Sequence, residues 1–185
     1  MSRTSESDLN AIAGVAFVQP QRNPDDRGSL DVVFSSSWPG VPPMAQLNLV
    51  RSRALVLRGL HAHSRYAELY APALGRMFIA LKDARSDSPT FGRVMSTWLD
   101  QDEHYKAALV PAGVLHGVYF ATDGVLAYGL TESWTGLNEF NCAWDDADVG
   151  IDWPTDAPLL SPRDATAGRY VDLVRDLNRD RGVES

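Results

Sequence analysis

Cysteine is almost absent from this chain of 185 residues. Cys142 stands alone, so no disulfide can form within the chain and the fold does not depend on an oxidising compartment. Long hydrophobic runs are missing too, and none approaches the roughly 20 residues that span a bilayer as a helix. The opening stretch, Met1 to Asp8, lacks the apolar core of a signal peptide. A cytoplasmic protein that makes no use of a membrane is therefore expected. Positive charge is in deficit: 17 Lys and Arg face 24 Asp and Glu, a net charge of -7. That balance argues against coating a nucleic-acid backbone. It leaves room for a small anionic ligand, because a pocket can gather a few arginines inside an acidic shell. Hydrophobic residues make up 44% of the chain, enough for a packed core. The length suits a flexible N-terminal segment over 1–14 followed by a single domain over 15–185.

What is present alternates short apolar runs with turn signals. Strands are expected over 29–34, 45–50, 54–63, 68–71, 76–82, 93–99, 104–110, 117–121 and 125–131. Residues 21–28 (QRNPDDRG) read as a turn-rich stretch, and Trp38 to Pro43 as a rigid loop. Helical spacing occurs only near the end. There Tyr170, Leu173, Val174 and Leu177 share one face of a helix expected to start at Ser161 or Asp164 and to run to about Arg181. Many short strands and one late helix predict an all-β sandwich or barrel around one cavity.

Histidine is scarce, at four residues: His61, His63, His104 and His116. His104, among charged residues, reads as exposed and is assigned no role. His61 and His63 lie two apart on one expected strand and so point to the same face. Glu68 follows on the next strand, and His116 follows the Pro111-Ala112-Gly113 turn. The arrangement is His-x-His-x4-Glu-x6-Gly, then Pro-x-Gly-x-x-His. It resembles the cupin family, and the resemblance implies a jelly-roll β-barrel in which His61, His63, Glu68 and His116 bind a divalent transition metal. Three imidazoles and a carboxylate suit such an ion.

A second resemblance covers about residues 25–164. Asp26-Arg27-Gly28, Gln46-x-Asn48, Leu57-Arg58-Gly59-Leu60-His61, Ser88-Pro89-Thr90-Phe91-Gly92, Pro111-x-Gly113-x-x-His116-Gly117, Trp144-Asp145-Asp146, Gly150-Ile151-Asp152-Trp153-Pro154 and Leu160-Ser161-x-x-Asp164 appear in order. Together they resemble the dTDP-4-dehydrorhamnose 3,5-epimerases, which are themselves cupins. The resemblance implies an isomerase of deoxysugar biosynthesis that needs no organic cofactor. Its substrate would be a nucleotide-linked 4-keto-6-deoxy sugar, epimerised at carbon 3, carbon 5 or both. The implied base is His61, oriented by Asp164, and Tyr128 is the implied acid on the other face. Arg27, Arg58, His116 and Arg163 would hold the diphosphate, Gln46 and Asn48 would face the ligand, and Trp134 would lie near the nucleobase. A homodimer is also implied, with an N-terminal strand crossing over and Arg27 near the neighbour's pocket. Arg58 and His61 differ in strand parity, so both can reach one cavity only if Gly59 marks a bulge or kink.

The chain departs from that pattern where it matters for chemistry. Glu68 stands at the place of a family lysine expected to stabilise the enolate oxygen, and His63 is a gained histidine. An anion there opposes an oxyanion, yet the two changes complete the four-ligand metal set. Three readings stay open: the epimerase; a metal-dependent cupin isomerase, lyase or oxygenase; and a non-catalytic cupin that binds a sugar nucleotide or small acid.

Overall fold

The computed structural model describes residues 12–102 and 105–183. It is an all-β jelly roll with a C-terminal helix. Twelve strands occur among the described residues: β1 (Ala16–Val18), β2 (Gln21–Asp25), β3 (Gly28–Val32), β4 (Gln46–Ser52), β5 (Leu57–His63), β6 (Glu68–Leu74), β7 (Met77–Asp83), β8 (Val94–Leu99), β9 (Ala107–Val110), β10 (Val114–Phe120), β11 (Gly124–Leu130) and β12 (Glu139–Asn141). One five-stranded sheet has the order β1-β9-β6-β11-β4, the other β12-β5-β10-β7-β8, and β2 and β3 form a separate hairpin. No helix of the described residues is long and apolar enough to cross a membrane.

Strand alternation divides the side chains of each sheet between two faces. From β7 and β10, Met77, Ile79, Leu81, Val114, Val118 and Phe120 enter the core between the sheets, where Tyr70, Val110 and Leu126 meet them. The opposite faces of the same strands are covered as well. Leu60, Ala62 and Leu115 pack beneath the C-terminal helix, while Leu57, Phe78 and Tyr119 pack with Trp98, Trp144 and Trp153. Burial on both faces explains why β7 and β10 read as continuous apolar runs. The outer face of the first sheet is covered at Leu69, Ala71 and Leu109 by the loop carrying Phe34, Trp38 and Met44.

The structure redraws several expected elements. Residues 21–28 hold β2 as well as a turn. Only Asp26 and Arg27 form the bend, and the Arg22–Asp31 ion pair, at 3.1 Å, crosses the hairpin. Every β2 side chain is exposed, so no apolar alternation marked it. The expected 104–110 strand begins at Ala107, and His104 lies outside the described residues. The 117–121 strand begins earlier, at Val114, directly after the Pro111 turn. The expected single helix is broken in two. α1 (Pro162–Ala165) is capped by Ser161, and α2 (Tyr170–Asp180) follows after a break containing Gly168. Tyr170, Leu173 and Leu177 bury their side chains from α2, each leucine contributing about 2 kcal/mol by removal from water. Ile12 is 1% exposed in the core, and the Ala13 backbone bonds Thr90 and Arg85. Packing therefore begins within the expected 1–14 segment, of which residues 1–11 lie outside the described residues.

Candidate active site

A cavity of about 790 Å³ opens between the sheets, lined from β4, β5, β6, β10, β11 and β12 and by the 159–164 segment. One irregularity of β5 shapes it. His61 pairs with His116 and Gly59 with Gly117, which leaves Leu60 without a counterpart. This is the bulge that strand parity required, and it brings Arg58 and His61 to the same cavity. Gly59 has φ +132°, and a Cβ there would lie 2.7 Å from the Cα of Gly117 and 2.9 Å from the His116 carbonyl oxygen. Only glycine permits that conformation and approach.

His61 is one-quarter exposed to the cavity. Its Nε2 lies 2.8 Å from Oδ1 of Asp164, which is 6% exposed. Asp164 is held in turn by Ser161: the Ser161 hydroxyl donates to Oδ2 (2.9 Å), and the Asp164 amide donates to the Ser161 oxygen (3.1 Å). The Ser-Pro-Arg-Asp sequence thus builds one helical turn whose cap doubles as the clamp on a carboxylate. Burial opposes the Asp164 charge, but the hydrogen bond and charge of His61, with Ser161 and Arg163, outweigh it and keep the carboxyl below its ordinary range.

Tyr128 reaches the cavity from the opposite sheet, on β11, where its ring stacks on Tyr70 with centroids 5.8 Å apart. Burial, then the charge of Glu68, raises its pKa, so the phenol keeps its proton at neutral pH. Beside it on β4, Gln46 donates to Asn48 (2.9 Å) and accepts the Trp134 amide hydrogen bond (2.9 Å). Arg58 donates to the Ser52 hydroxyl (2.9 Å). Arg163 donates to Glu139 (3.0 Å), which also accepts from the Trp134 indole (2.8 Å).

The metal-ligand expectation is corrected at His61. His63, Glu68 and His116 converge, with their ligand atoms all within 4.8 Å of one another, but His61 is turned to Asp164 and stands outside this group. The three clustered residues are buried to 5% exposure or less. Nε2 of His116 lies 3.0 Å from Glu68 Oε2, and Nε2 of His63 lies 3.5 Å from Oε1. The Tyr70 hydroxyl also donates to Glu68, while His116 Nδ1 donates to the Val114 carbonyl (3.0 Å). Both His116 nitrogens are thereby occupied within the chain, and the residue lines the cavity as expected. Burial opposes the charge of Glu68, but the His116 and His63 contacts prevail and hold it well below the carboxylate range. Burial also favours neutral imidazoles. It prevails at His63, whereas at His116 the charge of Glu68 overcomes it and raises the pKa.

Of the residues expected from the sequence, His61, Asp164, Tyr128, Gln46, Asn48, Arg58, Trp134 and Arg163 line the cavity. Arg27 does not. It sits at the tip of the β2–β3 hairpin with its side chain 89% exposed, paired with Asp25. Sequence reasoning missed Arg53, Tyr70, Glu139 and the clamp role of Ser161, all on the cavity wall. Only Ser161 carried a local signal, the Ser-x-x-acid pattern that starts a helix.

The sequence model described as dTDP-4-dehydrorhamnose 3,5-epimerase matches residues 10–172. The chain is 34% identical over 171 residues to the dTDP-4-dehydrorhamnose 3,5-epimerase of Pseudomonas aeruginosa, covering 88% of this chain and 94% of that one. It is 33% identical over 165 residues to a dTDP-4-dehydrorhamnose 3-epimerase of Streptomyces niveus, covering 84% and 79%. A crystal structure of the dTDP-6-deoxy-D-glucose-3,5-epimerase of Legionella pneumophila, in complex with dTDP-4-keto-L-rhamnose, superposes with a TM-score of 0.80 at 30% identity. That match covers 90% of this chain and 93% of that one.

Proposed function

The chain belongs to the dTDP-4-dehydrorhamnose 3,5-epimerase family, and we propose that it epimerises a nucleotide-linked 4-keto-6-deoxy sugar at carbon 3, carbon 5 or both, as an isomerase of deoxysugar biosynthesis. One observation carries this reading: His61, clamped by Asp164 at 2.8 Å, and the protonated phenol of Tyr128 stand on opposite sheets facing one cavity. A ketone at carbon 4 acidifies the hydrogens on both neighbouring carbons. His61 takes one of them as a proton, and the electron pair of the broken C–H bond moves into the carbonyl to give an enolate. Asp164 fixes the ring and balances the imidazolium that forms. The Tyr128 O–H then delivers a proton to the other face of the same carbon, which inverts it. His61 and Tyr128 return to their starting states by exchange with solvent. Atoms and electrons balance with protons alone, so the reaction calls for no organic cofactor.

Arg58 and Arg163, with Arg53 beside them on the wall, would bind the diphosphate through charge-assisted hydrogen bonds. Gln46 and Asn48 would orient the sugar, and the half-exposed Trp134 would stack on the base. Arg163 must exchange Glu139 for phosphate when it does so. A homodimer in which the exposed β2–β3 hairpin reaches a second copy would give Arg27 a ligand that its own chain does not offer. The test is incubation with a dTDP-4-keto-6-deoxy sugar in deuterium oxide. Deuterium should enter carbon 3 or carbon 5, with an inverted product. A folded protein that binds the sugar nucleotide yet leaves both positions protiated would overturn the assignment in favour of a binding role.

A further inference from the structure

We propose that Tyr70 is a positioning residue: stacked against Tyr128, it holds that phenol in the orientation from which its proton reaches the sugar. The pairing begins in the strands. Tyr128 on β11 stands opposite Asn48 of β4 and Tyr70 of β6, and all three line the cavity. The Tyr70 and Tyr128 rings lie 14° from parallel, with centroids 5.8 Å apart, within the range of an attractive offset pair. Aromatic neighbours directly across two strands hold each other more firmly than small side chains do.

Tyr70 serves as a fixed wall because it is itself immobilised. It is 7% exposed, whereas Tyr128 is half-buried. Glu68 lies two residues before it on β6, so it faces the same cavity, and it accepts a hydrogen bond from the Tyr70 hydroxyl. His116 meets the Tyr70 ring from β10, with centroids 5.5 Å apart and planes inclined at 52°. Hydroxyl and ring are both held, and Tyr128 packs on a surface of fixed position. A tyrosine has three staggered choices at χ1, and the stack favours the one seen here. The consequence for the reaction rests on the epimerase reading; the seating of the ring does not. The enolate has two fates. The imidazolium of His61 returns a proton to the face it left, which exchanges hydrogen with solvent and retains configuration. Tyr128 delivers one to the other face, which inverts the carbon. Misplacing a reacting group by about 1 Å costs up to about 100-fold in rate, so the seating of Tyr128 sets the share of enolates that invert.

The experiment follows deuterium exchange and inversion of a dTDP-4-keto-6-deoxy sugar in deuterium oxide, with the full chain as wild type, Tyr70→Leu, Tyr70→Met and Tyr70→Phe. Tyr70→Leu should slow inversion about 10-fold or more while exchange stays within about threefold. Tyr70→Met fills the space with a flexible unbranched chain and should give the same split, even if the leucine variant fails to fold. Tyr70→Phe keeps the ring and should restore inversion to within about threefold of wild type. Crystal structures should show the Tyr128 ring displaced in Tyr70→Met and in place in Tyr70→Phe. A purely structural role lowers exchange and inversion together. An equal fall in both, inversion in Tyr70→Phe as poor as in Tyr70→Met, or an unmoved Tyr128 ring in Tyr70→Met would overturn the proposal. Wild type that neither exchanges nor inverts refutes only the epimerase reading, and the Tyr128 ring in the Tyr70→Met crystals then decides the seating by itself.

Discussion

His61 with Asp164 and His116 with Glu68 line the same cavity, yet they are built for opposite purposes. His61 is one-quarter exposed, and its ring is hydrogen-bonded to a carboxylate anchored by a helix cap. His116 is sealed, with one nitrogen on a backbone carbonyl and the other on a carboxylate that also takes the Tyr70 hydroxyl. The difference teaches that a histidine–carboxylate contact does not by itself define a base. A base must keep part of its ring open to substrate and exchange protons with solvent while its partner holds it, whereas a sealed pair has neither opening.

The largest expected effect breaks the open pair. His61→Ala should lower solvent exchange at the sugar by about 10³-fold, the scale of a general base, read by deuterium incorporation. The sealed pair should answer in stability instead. Glu68→Ala should cost about 2 kcal/mol because it leaves the buried His116 Nε2 and the Tyr70 hydroxyl without their partner, measured by denaturant unfolding. Asp164→Asn keeps the shape but removes the charge that orients His61, and should slow exchange about 100-fold with little change in KM. A large loss of stability with normal exchange would place Asp164 among structural groups.

A third carboxylate sharpens the contrast, because it serves structure alone. Asp83 is fully buried and accepts from Arg85 (2.7 Å), Ser88 (2.6 Å) and Thr90 (2.6 Å). Burial would raise its pKa, but these partners prevail and hold it below the ordinary 3.8. Its folded pKa being depressed, its stabilisation is complete above about pH 4 and fades as the pH falls through the folded value. Asp83→Asn should therefore cost about 2 kcal/mol at pH 7 and converge with wild type in acid unfolding, with exchange activity unchanged. The smallest effect should come from Tyr128→Phe. Proton removal by His61 continues while inversion slows about 10-fold or more, so deuterium enters with retention; full epimerisation by this variant would remove its acid role.

Gln46, Asn48 and Tyr128, which the resemblance implied as site residues, were legible in the sequence, and all three line the cavity. So was the opposed parity of Arg58 and His61, which demanded the bulge found opposite Gly117. The polar β2 and the three-residue β12 escaped because neither carries enough apolar periodicity to separate strand from loop. Glu139 escaped with β12, and Arg53 sits in a loop without any pattern. The break before α2 lay beneath a continuous apolar spacing from Tyr170 onward, which says nothing about where the preceding turn ends.

The sequence by itself determined the all-β class and the inventory of imidazoles and carboxylates, because strand period and residue chemistry are local, and its motifs carried the resemblance to the family. Tertiary structure alone decided which carboxylate each histidine meets. His61 and His63 share a strand face two residues apart, but one is taken by Asp164, 103 positions away in sequence, and the other points at Glu68 on the opposite sheet. Two strands and a helical turn must dock before either partner comes within hydrogen-bond or ion-pair range, and no local pattern encodes that distance.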